Sequence, residues 1–296
     1  MTGWGIATAR SGVCLDVGGA LYRLAPALAR LGEAAPDSAI TLFADWPASV
    51  ALLDRAAEAR RDEDRVPEAE RLAPLLYPGK ILCAGANYYD HLAEMGMPGA
   101  RKDEQRLFFF FKPPRQAVVG PGATVRLPIG TQAFDWEIEL AAVIGRPARA
   151  VPEASALDYV AAYTVAIDFS ARDFNRAPET FYKLDWVAGK AHDTCCPMGP
   201  VLVPASRIPD PQALGLRLWV NGALKQDGHS SGMIFSLREQ IAILSRIMTL
   251  EPGDVILTGT PAGVGVPRGT FLAVGDEVAA EIDGIGRLAV TIIGSA

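Results

Sequence analysis

Histidine is scarce in this chain of 296 residues, with only His91, His192 and His229 present. None belongs to an HExxH pattern, so nothing points to a zinc hydrolase. Cysteine is thin as well: Cys14, Cys83, Cys195 and Cys196, with no CxxC pair of the kind zinc or redox sites use. The adjacent Cys195 and Cys196 read as small buried hydrophobes rather than a strained vicinal disulfide, and a reducing cytoplasm is the expected setting. No apolar run approaches the roughly 18 residues of a membrane span. Met1-Thr2-Gly3-Trp4 lacks the basic stretch and apolar run of a signal peptide. A net charge of −6 leaves no basic patch for phosphates, so neither nucleic acid nor a membrane is an expected partner. What is abundant is apolar side chain, 50% of the sequence, enough for one large domain or one large and one small. With so few soft donors, any metal must rest on oxygen ligands, which suit Mg²⁺, Mn²⁺ or Ca²⁺.

Residues 1–75 read as a small leading region. It has short strands over Val13–Val17 and Leu21–Leu24 and a helix over Trp46–Arg61, with Asp45 as N-cap and Pro47 in the first turn. Val50, Leu53 and Ala57 share a face of that helix. The charge-dense tract Arg60–Arg71 reads as an exposed linker, which sets the boundary near residue 75. Residues 76–296 read as β-rich. Strands are expected over Lys80–Ala84, Leu107–Phe111, Trp136–Ile144, Tyr163–Ile167, Leu216–Val220, Val255–Thr258, Glu277–Ile282 and Gly286–Ile292. One strong helix is expected over Leu237–Thr249, opened by the S-x-x-E capping box of Ser236 and Glu239, with Ile241, Leu244, Ile247 and Met248 as its buried face. Phe108–Phe111, Phe181, Tyr182 and Trp186 could line an aromatic or apolar pocket, with core packing the expected role for most of them.

The segment Phe134-Asp135-Trp136-Glu137-Ile138-Glu139-Leu140 carries the most chemical information. Residues two apart in a strand share a face, so Glu137 and Glu139 lie side by side while Trp136, Ile138 and Leu140 pack behind them. Neighbouring carboxylates repel unless a positive charge sits between them. A solvated strand face is the plain alternative. The apolar run Ala161–Ile167 then delivers Asp168 at the mouth of a buried strand, where an acid needs a partner. Arg172 is one candidate partner. A shared cation with Glu137 and Glu139 is the other, and three carboxylates with open water positions suit Mg²⁺.

Three further segments carry polar groups. His91 and Glu94 are three apart, so on a short helix they face the same way, and a carboxylate beside an imidazole orients it as a base. Gly85, Gly96, Pro98 and Gly99 around them suggest a mobile lid. Lys190 follows Ala188-Gly189 and would be a surface lysine by default. The glycine-rich loop Thr258–Gly265 is neither a P-loop nor a dinucleotide fingerprint, and its N–H groups and Thr260 hydroxyl offer themselves to a small carboxylate.

Taken in order, these pieces resemble the fumarylacetoacetate hydrolase superfamily. The matching segments are Gly85–Tyr88 with His91-x-x-Glu94, Lys112-Pro113, Asp135–Leu140, Asp168–Asp173, Gly189-Lys190, Pro197–Pro200, Val220–Gly222 with Gln226, and Leu250–Gly265. They span roughly residues 80 to 290, and residues 1–75 match only as a small, variable N-terminal domain. The resemblance implies a β-rich α+β fold with a mixed β-roll as the catalytic domain, usually a homodimer. It implies that Glu137, Glu139 and Asp168 bind Mg²⁺ or Mn²⁺, that His91 and Glu94 activate water, that Lys190 contacts substrate oxygens, and that Thr260 holds the substrate carboxylate. Arg172, Asn175 and Gln226 are further substrate-binding candidates. Asn175 stands where the family often has glutamine. The implied chemistry is C–C hydrolysis of a small 2,4-diketo acid through a metal-stabilised enolate. Decarboxylation, isomerisation or hydration of a catabolic 2-keto acid follows the same logic, and a non-catalytic metal-binding scaffold is the remaining alternative.

Overall fold

The computed structural model describes residues 3–295. Alternating apolar segments form one long mixed sheet. From one edge to the other it runs Arg65–Val66, Ala20–Arg23, Gly12–Val17, Trp4–Ala9, Cys196–Pro204, Val160–Ile167, Ile138–Ile144, Val255–Leu257, Ile81–Gly85 and Phe108–Lys112. A second sheet of five strands has the order Ala223–His229, Gly215–Val220, Glu277–Ile282, Gly286–Ile293 and Thr124–Arg126. The chain is therefore sheet-rich, with mostly short helices between the strands, as the expected β-rich α+β class requires.

Every expected strand appears, most within a residue or two of its expected ends. Several others were not anticipated, Trp4–Ala9, Cys196–Pro204 and Ala223–His229 being the longest. Cys196–Pro204 carries Pro197, Pro200 and Pro204, residues that normally argue against an internal strand because each lacks an N–H donor. It still pairs with Trp4–Ala9 on one side and Val160–Ile167 on the other, and a register shift between Tyr163 and Val165 absorbs the mismatch. Ala223–His229 is too polar to read as a strand, and its place at a sheet edge explains why.

Strand alternation assigns the two faces of the central strands. Ile138, Leu140, Ala142 and Ile144 enter one apolar cluster, shared with Leu216, Leu218, Val278 and Leu288 of the second sheet. Ala141 and Val143 enter the other, with Ala161, Ala162 and Ala166 beside them. Those small side chains leave room for Trp4, Ile6, Leu28 and Phe43 from the N-terminal region. The sheet thus runs unbroken past residue 75, with the N-terminal region packed on its face.

The tract Arg60–Arg71 differs from its expected exposed linker. Asp64 is buried and accepts from Arg30 at 2.6 and 2.8 Å, and Arg71 is buried against Asp16 and Glu68. Paired burial of both charges lets Arg65–Val66 and Arg71–Leu72 join the sheet. The N-terminal helix spans Trp46–Ala59 and is capped by Asp45 as expected.

The helix Leu237–Ile247 also opens on its expected capping box: Ser236 accepts from the Glu239 N–H, and the Glu239 carboxylate accepts from the Ser236 N–H at 2.9 Å. Ile241 and Leu244 are buried, but Ile247 is 62% exposed. Ser245 takes the inner face instead, because its hydroxyl accepts from the Val151 N–H at 2.9 Å. Ser236→Ala is expected to cost about 1 kcal/mol in urea unfolding, through loss of a single cap, with the sheet unchanged.

Candidate active site

The acids gather where Ile138–Ile144 begins and its antiparallel neighbour Val160–Ile167 ends. Asp168 follows Val160–Ile167 directly, and its N–H donates to the Glu137 carbonyl at 2.8 Å, which locks the two strand ends together. Glu139 shares its strand face with Glu137 by alternation. The expected strand over 136–144 begins only at Ile138, because Phe134–Asp135 pairs separately with Ser170–Ala171. Glu137, Glu139 and Asp168 are all buried, and each can offer an oxygen within 4.8 Å of the others.

Cations hold two of these three acids. Lys190 Nζ donates to Glu137 Oε2 at 2.5 Å and to Asp168 Oδ2 at 2.7 Å. Lys112, wholly buried, donates to Asp168 Oδ1 at 2.5 Å and to the Phe169 carbonyl at 2.9 Å. Arg172 bridges Asp135 at 3.0 Å and Glu137 at 2.5 Å. Arg172 is therefore not the partner of Asp168. That role is shared by Lys190 and Lys112, and the strand-end position of Lys112 gives no local hint of its charge pairing. Removing either member of such a buried pair costs about 3–5 kcal/mol, since an uncompensated charge remains.

Glu139 is the exception. Its carboxylate accepts the Gly259 N–H at 2.5 Å, and among the described residues no side-chain cation lies within salt-bridge distance. Burial, together with the charges of Asp168 and Glu137, pushes its carboxyl well above the ordinary range. Burial acts the same way on Glu137, but Arg172 and Lys190 outweigh it and hold that carboxyl below the ordinary range. Lys190 stays charged, because Asp168 and Glu137 outweigh the effect of its burial.

A second group adjoins. On the short helix Tyr89–Glu94, His91 Nδ1 lies 2.9 Å from Glu94 Oε1. Glu94 also accepts N–H bonds from Gly263 at 2.9 and 3.0 Å and is paired with Arg268 at 3.1 Å. Burial would raise its carboxyl, but His91 and the Gly263 N–H outweigh that and lower it. The loop that binds Glu94 and Glu139 also binds Asp135, through the Gly265 and Val266 N–H groups at 2.6 and 3.2 Å. Gly259 and Gly263 adopt φ of +96° and +115°, which only glycine takes without strain. The N–H groups of Gly259, Gly263 and Gly265 are thus spent on the protein's own acids.

These groups line one cavity of ≈ 660 Å³ that contains His91, Glu137, Glu139, Asp168, Lys190 and Thr260. Arg172 and Asn175 line it too. The Asn175 Oδ1 is buried without a partner and occupies space that a side chain at Gly189 would fill. Thr260 reaches the cavity, but its hydroxyl donates to the Ile138 carbonyl and accepts from Gln226, both at 2.8 Å, so its proton is already committed. Gln226 is fully buried and outside the lining: its carbonyl oxygen accepts from the Ile138 N–H at 2.9 Å, and its amide donates to Thr260 and Pro261. Its expected substrate contact gives way to a strut between strand and loop, because every polar atom it has is satisfied by the protein. Phe108, Phe110 and Trp186 form an apolar wall, whereas Phe181 and Tyr182 are 101% and 90% exposed, not in a core. The four cysteines are buried and free, with Cys195 and Cys196 pushed up to about 12 by burial.

The acids fit a hard divalent cation. All donors are oxygens, they converge, and Glu139 is a desolvated carboxylate without a counter-charge, which a shared cation would supply.

Comparison with known proteins follows this geometry. The model of the fumarylacetoacetate (FAA) hydrolase C-terminal family matches residues 80–293. A mitochondrial oxaloacetate tautomerase from Xenopus laevis is 42% identical over 224 residues, covering 75% of this chain and 68% of that protein. Fumarylpyruvate hydrolase from Pseudomonas aeruginosa, solved with Mn²⁺ and pyruvate, is 33% identical with a TM-score of 0.66, covering 75% of this chain and 91% of that one. Maleylpyruvate hydrolase from Sphingobium sp. SYK-6, also solved with Mn²⁺ and pyruvate, is 27% identical with a TM-score of 0.77, covering 99% and 100%. Among the described residues, no helix is long and apolar enough to cross a membrane.

The raised Glu139 carboxyl sets a sign. Below the ordinary carboxylate value both folded and unfolded chains hold this proton. Above it only the folded chain does, so its stability falls as pH rises toward the Glu139 value. A cation favours the ionised form and relieves this loss. The rise in unfolding temperature on adding Mn²⁺ is therefore expected to grow from about pH 5 to about pH 8, with proton release on binding. A pH-independent rise would argue against Glu139 as a ligand.

Proposed function

The chain belongs to the fumarylacetoacetate hydrolase family, and we propose that its cavity carries out cation-dependent proton transfer on a small 2-keto diacid such as oxaloacetate. The observation behind this reading is the His91–Glu94 pair, whose imidazole lines one cavity with the buried acids Glu137, Glu139 and Asp168. When bound, a divalent cation supplies positive charge that polarises the 2-keto carbonyl.

The remaining work falls to the chain's own groups. Glu94 is a fixed anion that holds the proton on His91 Nδ1, which leaves Nε2 as the base. Nε2 takes a proton from C3 of the keto acid, and the electron pair moves into the C2–C3 bond. The 2-oxygen then accepts that proton, giving the enol; the reverse gives the ketone. One base serves both atoms because both are attached through C2. Lys190, kept protonated by Glu137 and Asp168, adds positive charge where the oxygen becomes negative. Arg176 also lines the cavity, is exposed, and has no carboxylate in salt-bridge distance among the described residues, so it suits a second substrate carboxylate. Enolisation requires no group beyond these.

A second reading is C–C hydrolysis of a 2,4-diketo acid. It is favoured by the cavity's volume of ≈ 660 Å³ and its apolar wall of Met95, Met97, Phe108, Leu184 and Phe271, which leave room for an acyl arm. In that case His91 takes a proton from water as the oxygen adds to C4. The C3–C4 bond then breaks with its electron pair on C3, which is protonated to give pyruvate and a carboxylic acid.

Proton NMR of oxaloacetate with Mg²⁺ measures the approach to keto–enol equilibrium, and product analysis on acylpyruvates measures cleavage. His91→Asn is expected to lose at least about a hundredfold in enolisation, as does removal of the base in general acid–base catalysis. Unchanged exchange in His91→Asn would defeat the first reading and unchanged cleavage the second, while cleavage of acylpyruvates without oxaloacetate exchange would favour the second. Arg176→Ala is expected to raise KM for oxaloacetate but not for C3 deuterium exchange of 2-oxobutanoate. An equal effect on both acids would remove Arg176 from substrate recognition.

A further inference from the structure

The helix that carries His91 and Glu94 is only six residues long, too short to hold its own shape. Gly96, at φ +90°, ends it, and the chain leaves through the Met97 N–H bond to the Leu92 carbonyl. The helix is joined to the loop Gly259–Arg268 through Glu94. One Glu94 oxygen faces His91, and both oxygens accept the Gly263 N–H. Arg268 Nη1 completes the set at 3.1 Å from Oε2, and the same nitrogen donates to the Val264 carbonyl at 2.8 Å. The guanidinium is therefore tied to the loop before it meets the helix.

The members of this junction differ in what they can tolerate. Gly263 cannot gain a side chain, since a Cβ there would lie 2.2 Å from the Lys225 carbonyl oxygen. Glu94 is 12% exposed and His91 9% at the side chain. Arg268 is 51% exposed, so it can be truncated without opening a hole in the core. A half-exposed ion pair adds little to stability, about 0–1 kcal/mol. What it sets is direction: with Arg268 and the Gly263 N–H on its oxygens, Glu94 cannot rotate, and the imidazole it holds stays aimed into the cavity.

We infer that Arg268 is a positioning residue that latches Glu94, and with it the His91 helix, onto the same loop that holds the cation-site acid Glu139. The inference rests on the reading that His91 and Glu94 move the proton, but the latch itself has a readout independent of turnover. In Arg268→Ala, amide hydrogen exchange over residues 92–96 is expected to speed up while the central strands keep their protection. The enolisation kcat is expected to fall about tenfold, the loss that accompanies a small misplacement of a reacting group. KM and Mn²⁺ affinity are expected to stay within about twofold, and Arg268→Lys to recover most of the rate.

Unchanged exchange over residues 92–96 in Arg268→Ala overturns the latch whatever happens to turnover. A loss of kcat, Mn²⁺ affinity and unfolding temperature together, with no recovery in the lysine variant, overturns it as well, because that is the mark of general destabilisation. His91→Asn measured in parallel separates the two ideas. If that variant keeps its turnover while Arg268→Ala loosens the helix, the latch stands and the proton-transfer reading falls.

Discussion

Four carboxylates, Asp135, Glu137, Glu139 and Asp168, lie buried where two antiparallel strands meet, and among the described residues three cationic side chains pair with them. Desolvating an acid is costly unless charge or hydrogen bonds replace the lost water. Lys112, Lys190 and Arg172 meet that cost for three of the four. Glu139 is left with one backbone N–H, so the cluster is one positive charge short. Much of the local architecture follows from this imbalance. Lys112 and Lys190 have to be buried, the strand ends have to converge, and a hard cation has a place prepared for it.

The glycine-rich loop is the frame on which that cluster and the His91–Glu94 pair are jointly held. Gly259 serves Glu139, Gly263 serves Glu94, and Gly265 serves Asp135. Three acids from two separate chain segments thus take their positions from seven consecutive residues. Lys190 and Arg176 line the cavity beside these acids, and Phe108, Phe110 and Trp186 form its apolar wall.

Much of the fold was legible because it depends on local alternation. The strand Glu277–Ile282 and the Ser236–Glu239 capping box appear where their patterns put them, since each needs only near neighbours. Cys196–Pro204 was hidden by its prolines, which the sheet tolerates through a register shift set by other strands. The tract Arg60–Arg71 was misread because charge density resembles a solvated linker until Asp64 and Arg71 find partners 34 and 55 residues away. Ile247 was placed in the core by its hydrophobicity, and Ser245 displaced it through a bond to the distant Val151.

At the site the division is sharper. Period-two alternation was enough to put Glu137 and Glu139 on one face, and helical spacing was enough to pair His91 with Glu94. Both are consequences of backbone geometry over a few residues. Which cation neutralises which acid was decided by tertiary structure alone: Lys112 and Lys190 rather than Arg172 for Asp168, and no side chain for Glu139. The commitment of Thr260 and Gln226 to the loop rather than to a substrate belongs to the same class. The reason is physical. Pairing of buried charges is settled by whichever groups the fold brings within a few ångströms, and contacts over tens of residues leave no periodicity in the sequence that joins them.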